Sequence, residues 1–189
     1  MNLKLGKRVV LAGITSALLL MSGCSATPPK TVKKVHPPKE ILPWKSAYGS
    51  NIPKNAIIAG REASPHNQAL YICRANYSGG IHIGKTRKEF NGCNIGFGGR
   101  EITVHKYQIL ADSSKTLQWV KTFGNNIPKS AIIAGREASP HNQALYICRA
   151  NYNGGLHIGK TRKEFNGCNI GFGGREITVY DYEILTGVK

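Results

Sequence analysis

Acidic residues are scarce in this chain. Ten Asp and Glu stand against 26 Lys and Arg, for a formal net charge of +16. So few carboxylates leave little material for a paired-carboxylate active site, and the resulting field attracts anions. Long apolar runs are missing too. None reaches the roughly eighteen residues that cross a bilayer as a helix, which excludes a multi-span helical membrane protein. No extended helical periodicity is visible, and no Gly-rich stretch leads into a helix as a nucleotide-binding loop requires. No Cys-x-x-Cys pair offers close metal-ligand spacing, so neither a metal nor a cofactor is expected. A cysteine nucleophile would need a His base and a strained turn or helix N-terminus to activate it, and the cysteines read as strand residues, so an enzyme is not expected. What remains is a chain of 189 residues, 41% hydrophobic, with 22 Gly. Short segments rich in Ile, Val and Tyr dominate it, which predicts an all-β protein of one domain or two small ones.

Residues 1–23 read as an address rather than as fold. Lys4, Lys7 and Arg8 make a basic head, Val9 to Met21 make an apolar core of thirteen residues, and Ser22 and Gly23 precede Cys24. Basic head, apolar core and small residues before a cut site define an export signal. With Cys24 at the cut it resembles the bacterial lipoprotein signal, which implies that Cys24 becomes the N-terminus and carries lipid. Ser25 after it implies the outer membrane in an enteric-type envelope. Removing three cations would lower the charge from +16 to +13, and the lipid would anchor the protein to a leaflet without spanning it. Residues 24–43 follow as a linker with five Pro and the lysines Lys30, Lys33, Lys34 and Lys39. Such composition favours an extended polyproline-like spacer, about 50–60 Å long.

The rest of the chain is one unit written twice. Asn51 to Leu110 matches Asn126 to Leu185 at an offset of 75, and the two 60-residue blocks differ at six positions only: Asn55/Ser130, Ser78/Asn153, Ile81/Leu156, His105/Tyr180, Lys106/Asp181 and Gln108/Glu183. Trp44 aligns with Trp119, so the repeats are placed at 44–118 and 119–189. Copies so alike fold alike. A unit this small has a small core, and the halves are expected to pack on each other as two antiparallel β repeats in a pseudo-two-fold, sandwich-like body. A homodimer is compatible with such a body.

Five strands are read in the first copy: Ala56 to Ala59, Ala69 to Ala75, Ile81 to Ile83, Cys93 to Phe97 and Glu101 to Leu110. Ser78-Gly79-Gly80 is a turn. The glycines around Phe97 suggest a bulge or a close backbone approach. Alternation turns His82, and likewise His157, away from the neighbouring Ile side chains, so both are expected at the surface, where they could also line a binding site.

Each copy resembles the DM-nine repeat, the unit of a family of tandem-repeat proteins that includes oyster mannose-binding lectins. The residues that carry the resemblance are Trp44, Asn51-Ile52-Pro53, Ala59-Gly60-Arg61-Glu62, Leu70 to Ala75, Gly80 to Lys85, Ile95 to Glu101 and Tyr107 to Leu110, all repeated in the second copy. The resemblance implies an all-β fold and a sugar site built from an acid and a lysine. These fall on Glu62 and Lys85, and on Glu137 and Lys160. A carboxylate accepts hydrogen bonds from adjacent hydroxyls and a lysine donates. The alternative is a surface ion pair that contributes little. Two departures bear on which sugar is bound: the acid is Glu rather than Asp, and Ile83 and Ile158 replace a Pro.

Lys85-Thr86-Arg87-Lys88 and its copy Lys160-Thr161-Arg162-Lys163 read as solvated basic loops that could also hold an anionic polymer. Cys73 with Cys93 and Cys148 with Cys168 recur at one spacing, and in an oxidising compartment they suggest one disulfide within each repeat. A duplicated unit suits bivalent binding. The sequence therefore points to a lipid-anchored, lectin-like envelope protein whose partners are a glycan and, through the anchor, a membrane. A structural or adhesion protein holding anionic polymer is the second reading. Nucleic acid is not expected, because no nucleic-acid fold signature is present.

Overall fold

The computed structural model describes residues 42–111 and 117–187. The export signal, Cys24 and most of the Pro/Lys-rich linker lie outside the described residues. Two tight hairpins organise each copy. Ser78 and Gly79 take φ of 46° and 79°, and Gly98 and Gly99 take 58° and 81°. Paired left-handed residues match the twist of two-residue β-hairpins.

The first copy forms β1 (Trp44–Tyr48), β2 (Ile58–Arg61), β3 (Ala69–Tyr77), β4 (Gly80–Thr86), β5 (Cys93–Phe97), β6 (Arg100–Val104) and β7 (Lys106–Leu110). The second forms β8 (Leu117–Phe123), β9 (Ile133–Arg136), β10 (Ala144–Tyr152), β11 (Gly155–Thr161), β12 (Cys168–Phe172), β13 (Arg175–Val179) and β14 (Asp181–Gly187). The all-β expectation holds. Seven strands replace the five expected per copy, because the stretch at Trp44 is itself a strand and the long run from Glu101 breaks at His105.

The copies do more than pack: they exchange strand pairings, each cross-copy junction resting on one residue pair. In the sheet β2 lies beside β11, β9 beside β4, and β6 beside β13. The β3–β4 and β10–β11 ladders close the order, so β3, β2, β11, β10, β9 and β4 make a ring with three strands from each copy. Closure removes the edges of these six strands, which would otherwise invite pairing with other chains, and leaves β1 and β8 as the sheet's edges.

Three cores follow from this closure. The central one joins Leu70, Ile72 and Ile83 to Leu145, Ile147 and Ile158. Each copy keeps a second core, around Cys73, Cys93, Ile95 and Ile109 in the first and Cys148, Cys168, Ile170 and Ile184 in the second. Strand β3 serves two cores by alternation: Leu70 and Ile72 point to the centre, Cys73 and Ala75 to the copy's own core. Disulfides Cys73–Cys93 and Cys148–Cys168 form as expected, each with a sequence separation of 20. Each contributes on the order of 3 kcal/mol by restricting the unfolded chain.

Candidate functional site

Strand β4 carries His82 and Lys85, and β11 carries their twins. His82 and Ile83 do face opposite sides, as alternation demands. Both sides are covered, however. Ile83 lies in the central core, and the His82 ring meets the Phe97 ring edge-on at 4.9 Å. His82 and His157 are fully buried. The expectation of surface histidines fails because these strands have no solvent face, a situation that alternation alone cannot reveal.

The lysines are buried as well, each 2% exposed. Lys85 Nζ lies 3.0 Å from His157 Nδ1 and 3.9 Å from Glu101 Oε1. Lys160 Nζ lies 3.2 Å from His82 Nδ1 and 3.6 Å from Glu176 Oε1, and donates to the Gly96 carbonyl at 2.7 Å. Each lysine therefore reaches the histidine of the other copy. The carboxylates cross over too. Glu101 Oε2 accepts the Gly174 N–H and Glu176 Oε2 accepts the Gly99 N–H, both at 3.1 Å. Asn94 braces Glu101 from its own copy at 3.3 Å. A Cβ on Gly96 would stand 2.9 Å from Glu176 Cγ. This is the close approach that the glycines around Phe97 suggested.

Burial sets the charge states. It pulls both lysines below their ordinary value, while Glu101 and Glu62 pull Lys85 back up and Glu176 and Glu137 do so for Lys160. Burial, and then the facing lysine, push His82 and His157 down to about 4, with backbone contacts at Tyr77 and Tyr152 working the other way. A charged lysine can only donate, so Nδ1 of a neutral histidine accepts and its proton sits on Nε2. The lysines and histidines of this network are closed to solvent, and Glu101 and Glu176 keep only 13% and 12% of their side chains exposed. Its work is to clamp one copy to the other.

Glu62 and Glu137 stand apart from the clamp. Glu62 Oε1 is 3.6 Å from Arg87 Nε and Glu137 Oε1 is 3.3 Å from Arg162 Nε, with the two acids 19% and 20% exposed. Arg87 also donates to Gln68 and to Glu89 and stacks on Phe90 at 4.4 Å. The acid thus reaches the arginine two residues beyond the lysine, and Lys85 feels Glu62 only as a field from beneath. The solvated basic loop is corrected in the same way: Lys85 and Thr86 are buried, Arg87 is paired, and only Lys88 is exposed. Beside Arg87 opens a cleft of about 510 Å³ lined by Asn51, Lys54, Gln68, Tyr71 and Lys88. Sequence reasoning gave no role to Glu101, Glu176 or the arginines as individuals. The signal available was position: Glu101 follows a tight Gly-Gly turn, which sets it at the tip of a hairpin.

Tandem, strand-exchanged β repeats with a duplicated polar clamp define a class of tandem-repeat β protein. The chain belongs to the DM9 repeat family, which matches residues 34–104 and 70–179. Its fold is similar to that of the nematode sperm cell motility protein MFP2B, with a TM-score of 0.56 and 16% identity over 87% of this chain and 51% of that one. This chain spans about half the length of that protein, and the likeness is one of fold. No curated protein matches the sequence.

Proposed function

We propose that this chain is a non-enzymatic carbohydrate-binding protein with one site per copy, beside Glu62 and Arg87 in the first and Glu137 and Arg162 in the second. The observation that carries the reading is a partly exposed carboxylate held against a guanidinium, present twice with the same neighbours. The glutamates accept from adjacent sugar hydroxyls, as on a mannose-type ring, while the arginines and Gln68 donate. Lys85 and Lys160 act from below as charge, and His82 and His157 act by holding the lysines. Membership of the DM9 family supports a binding role. Two sites in one body give bivalent attachment to a repeating glycan. Lipid on Cys24 would hold that body at an envelope surface. Palmitate labelling that is lost in Cys24→Ala tests the anchor.

The test of the sites is a glycan array on the full-length chain at low and high salt. Binding to a narrow set of neutral sugars that survives salt is expected, with Glu62→Ala plus Glu137→Ala reducing it at least tenfold. Binding to acidic polymers alone, lost in salt, would replace this reading with adhesion through the basic surface, which the net charge of +16 favours.

A further inference from the structure

A second cleft lies on the first copy across β1, β7, β3 and β4; it shares β3 and Asn51 with the cleft beside Arg87 but is lined by neither Glu62 nor Arg87. It encloses about 680 Å³, within the range of small-ligand sites. Register builds it. Tyr48 stands opposite Lys106 and Ser46 opposite Gln108 across β1 and β7. Gln108 stands opposite Arg74, and Asn76 opposite Ile81, across β7, β3 and β4. Tyr48 is 70% exposed, a free ring beside the amides of Asn51, Asn76 and Gln108.

The same face in the second copy differs in charge. Positions 106 and 108 hold Lys and Gln, whereas 181 and 183 hold Asp and Glu, a change of three formal charges in two residues. In the second copy Glu183 binds Arg149 at 2.7 Å. In the first, Gln108 accepts from Arg74 at 2.9 Å and brings no charge. The arginine is common to both copies, while Lys121 stands opposite Glu183 where the first copy has Ser46 opposite Gln108 and returns one of the three charges, so the changed pair leaves the second face two charges more negative.

We propose that the first-copy cleft binds a carboxylated saccharide and that the second-copy face excludes it. Lys106 takes the carboxylate, the amides take hydroxyls, and the Tyr48 ring covers a sugar face. At the second-copy face, Asp181 and Glu183 repel the same carboxylate. The inference extends the carbohydrate reading to a new place and does not depend on the pairing of Glu62 with Arg87.

Calorimetric titration of the oxidised full-length chain with trigalacturonate tests it. One equivalent is expected per chain. Asp181→Lys with Glu183→Gln should raise the count to two, a gain that misfolding cannot imitate. Lys106→Asp with Gln108→Glu should weaken binding at least tenfold, while Glu62→Ala with Glu137→Ala should leave it within twofold. No binding by the wild-type chain, two equivalents from it, or one equivalent unaffected by the Lys106 pair would overturn the proposal. Loss in the Glu62 and Glu137 variant would assign the ligand to that other cleft and overturn it equally.

Discussion

Across the two 60-residue blocks the copies differ at six positions and none of the six is buried, though just past the blocks the buried pair Ala111 and Thr186 differs. Three of the six, at 105, 106 and 108, gather on or beside one outer strand, β7, and its twin β14. A position in the central core faces the other copy's version of the same surface. A change there must be tolerated in two settings at once, whereas an outer strand answers only to solvent and ligand. The central core thus reads as constraint, and the outer faces as freedom to diverge.

Removing one copy altogether is the severest test of that comparison. Residues 44–111 alone should not form a folded monomer, because β2 and β4 would lose their partners β11 and β9. The expected product is an unfolded chain or a dimer of copies, and light scattering with circular dichroism distinguishes these from the folded monomer that would refute strand exchange. Next in size is the clamp. Lys85→Met leaves the partly buried Glu101 carboxylate without its cation and should cost about 3 kcal/mol. Lys160→Met should cost more, since Lys160 alone of the pair bonds the Gly96 carbonyl. Equal urea midpoints for the two variants would show that the copies are more alike than their geometry.

Acid provides a graded test. His82 and His157 protonate near 4 in the fold but near 6.5 when unfolded. Between those values the unfolded chain binds more protons, so stability falls as pH drops through that window and is unaffected above it. The loss is about 3 kcal/mol for each histidine. Urea midpoints measured from pH 7 to pH 4 should flatten in the His82→Asn, His157→Asn double variant. The smallest effect belongs to a turn. Ser78 sits at φ 46° where the second copy has Asn153 at 45°. Asn tolerates this region better, so Ser78→Asn should raise the unfolding free energy by roughly a few tenths of a kcal/mol, and Asn153→Ser should lower it equally, read from urea unfolding.

The repeat, the β class and both disulfides were legible because they live in spacing and composition. The surroundings of His82 were not. Alternation says which side of a strand a residue takes, never whether that side is covered. Strand exchange was equally hidden, since the apolar pattern of β4 is satisfied by a partner from either copy. At the candidate site, the pairing of Glu62 with Arg87 instead of Lys85 followed from β4 ending at Thr86. Its last lysine stays inside, and the first residue past the strand emerges.

Strand exchange also changes what dilution can do. Two separate repeats held by the same ladders would come apart as their concentration fell. Joined through the few residues between Leu110 and Leu117, they meet at a local concentration set by the chain itself, in the millimolar range for a short tether. The assembly of the two halves is therefore independent of how many copies of the protein are present, so one molecule alone brings both halves together.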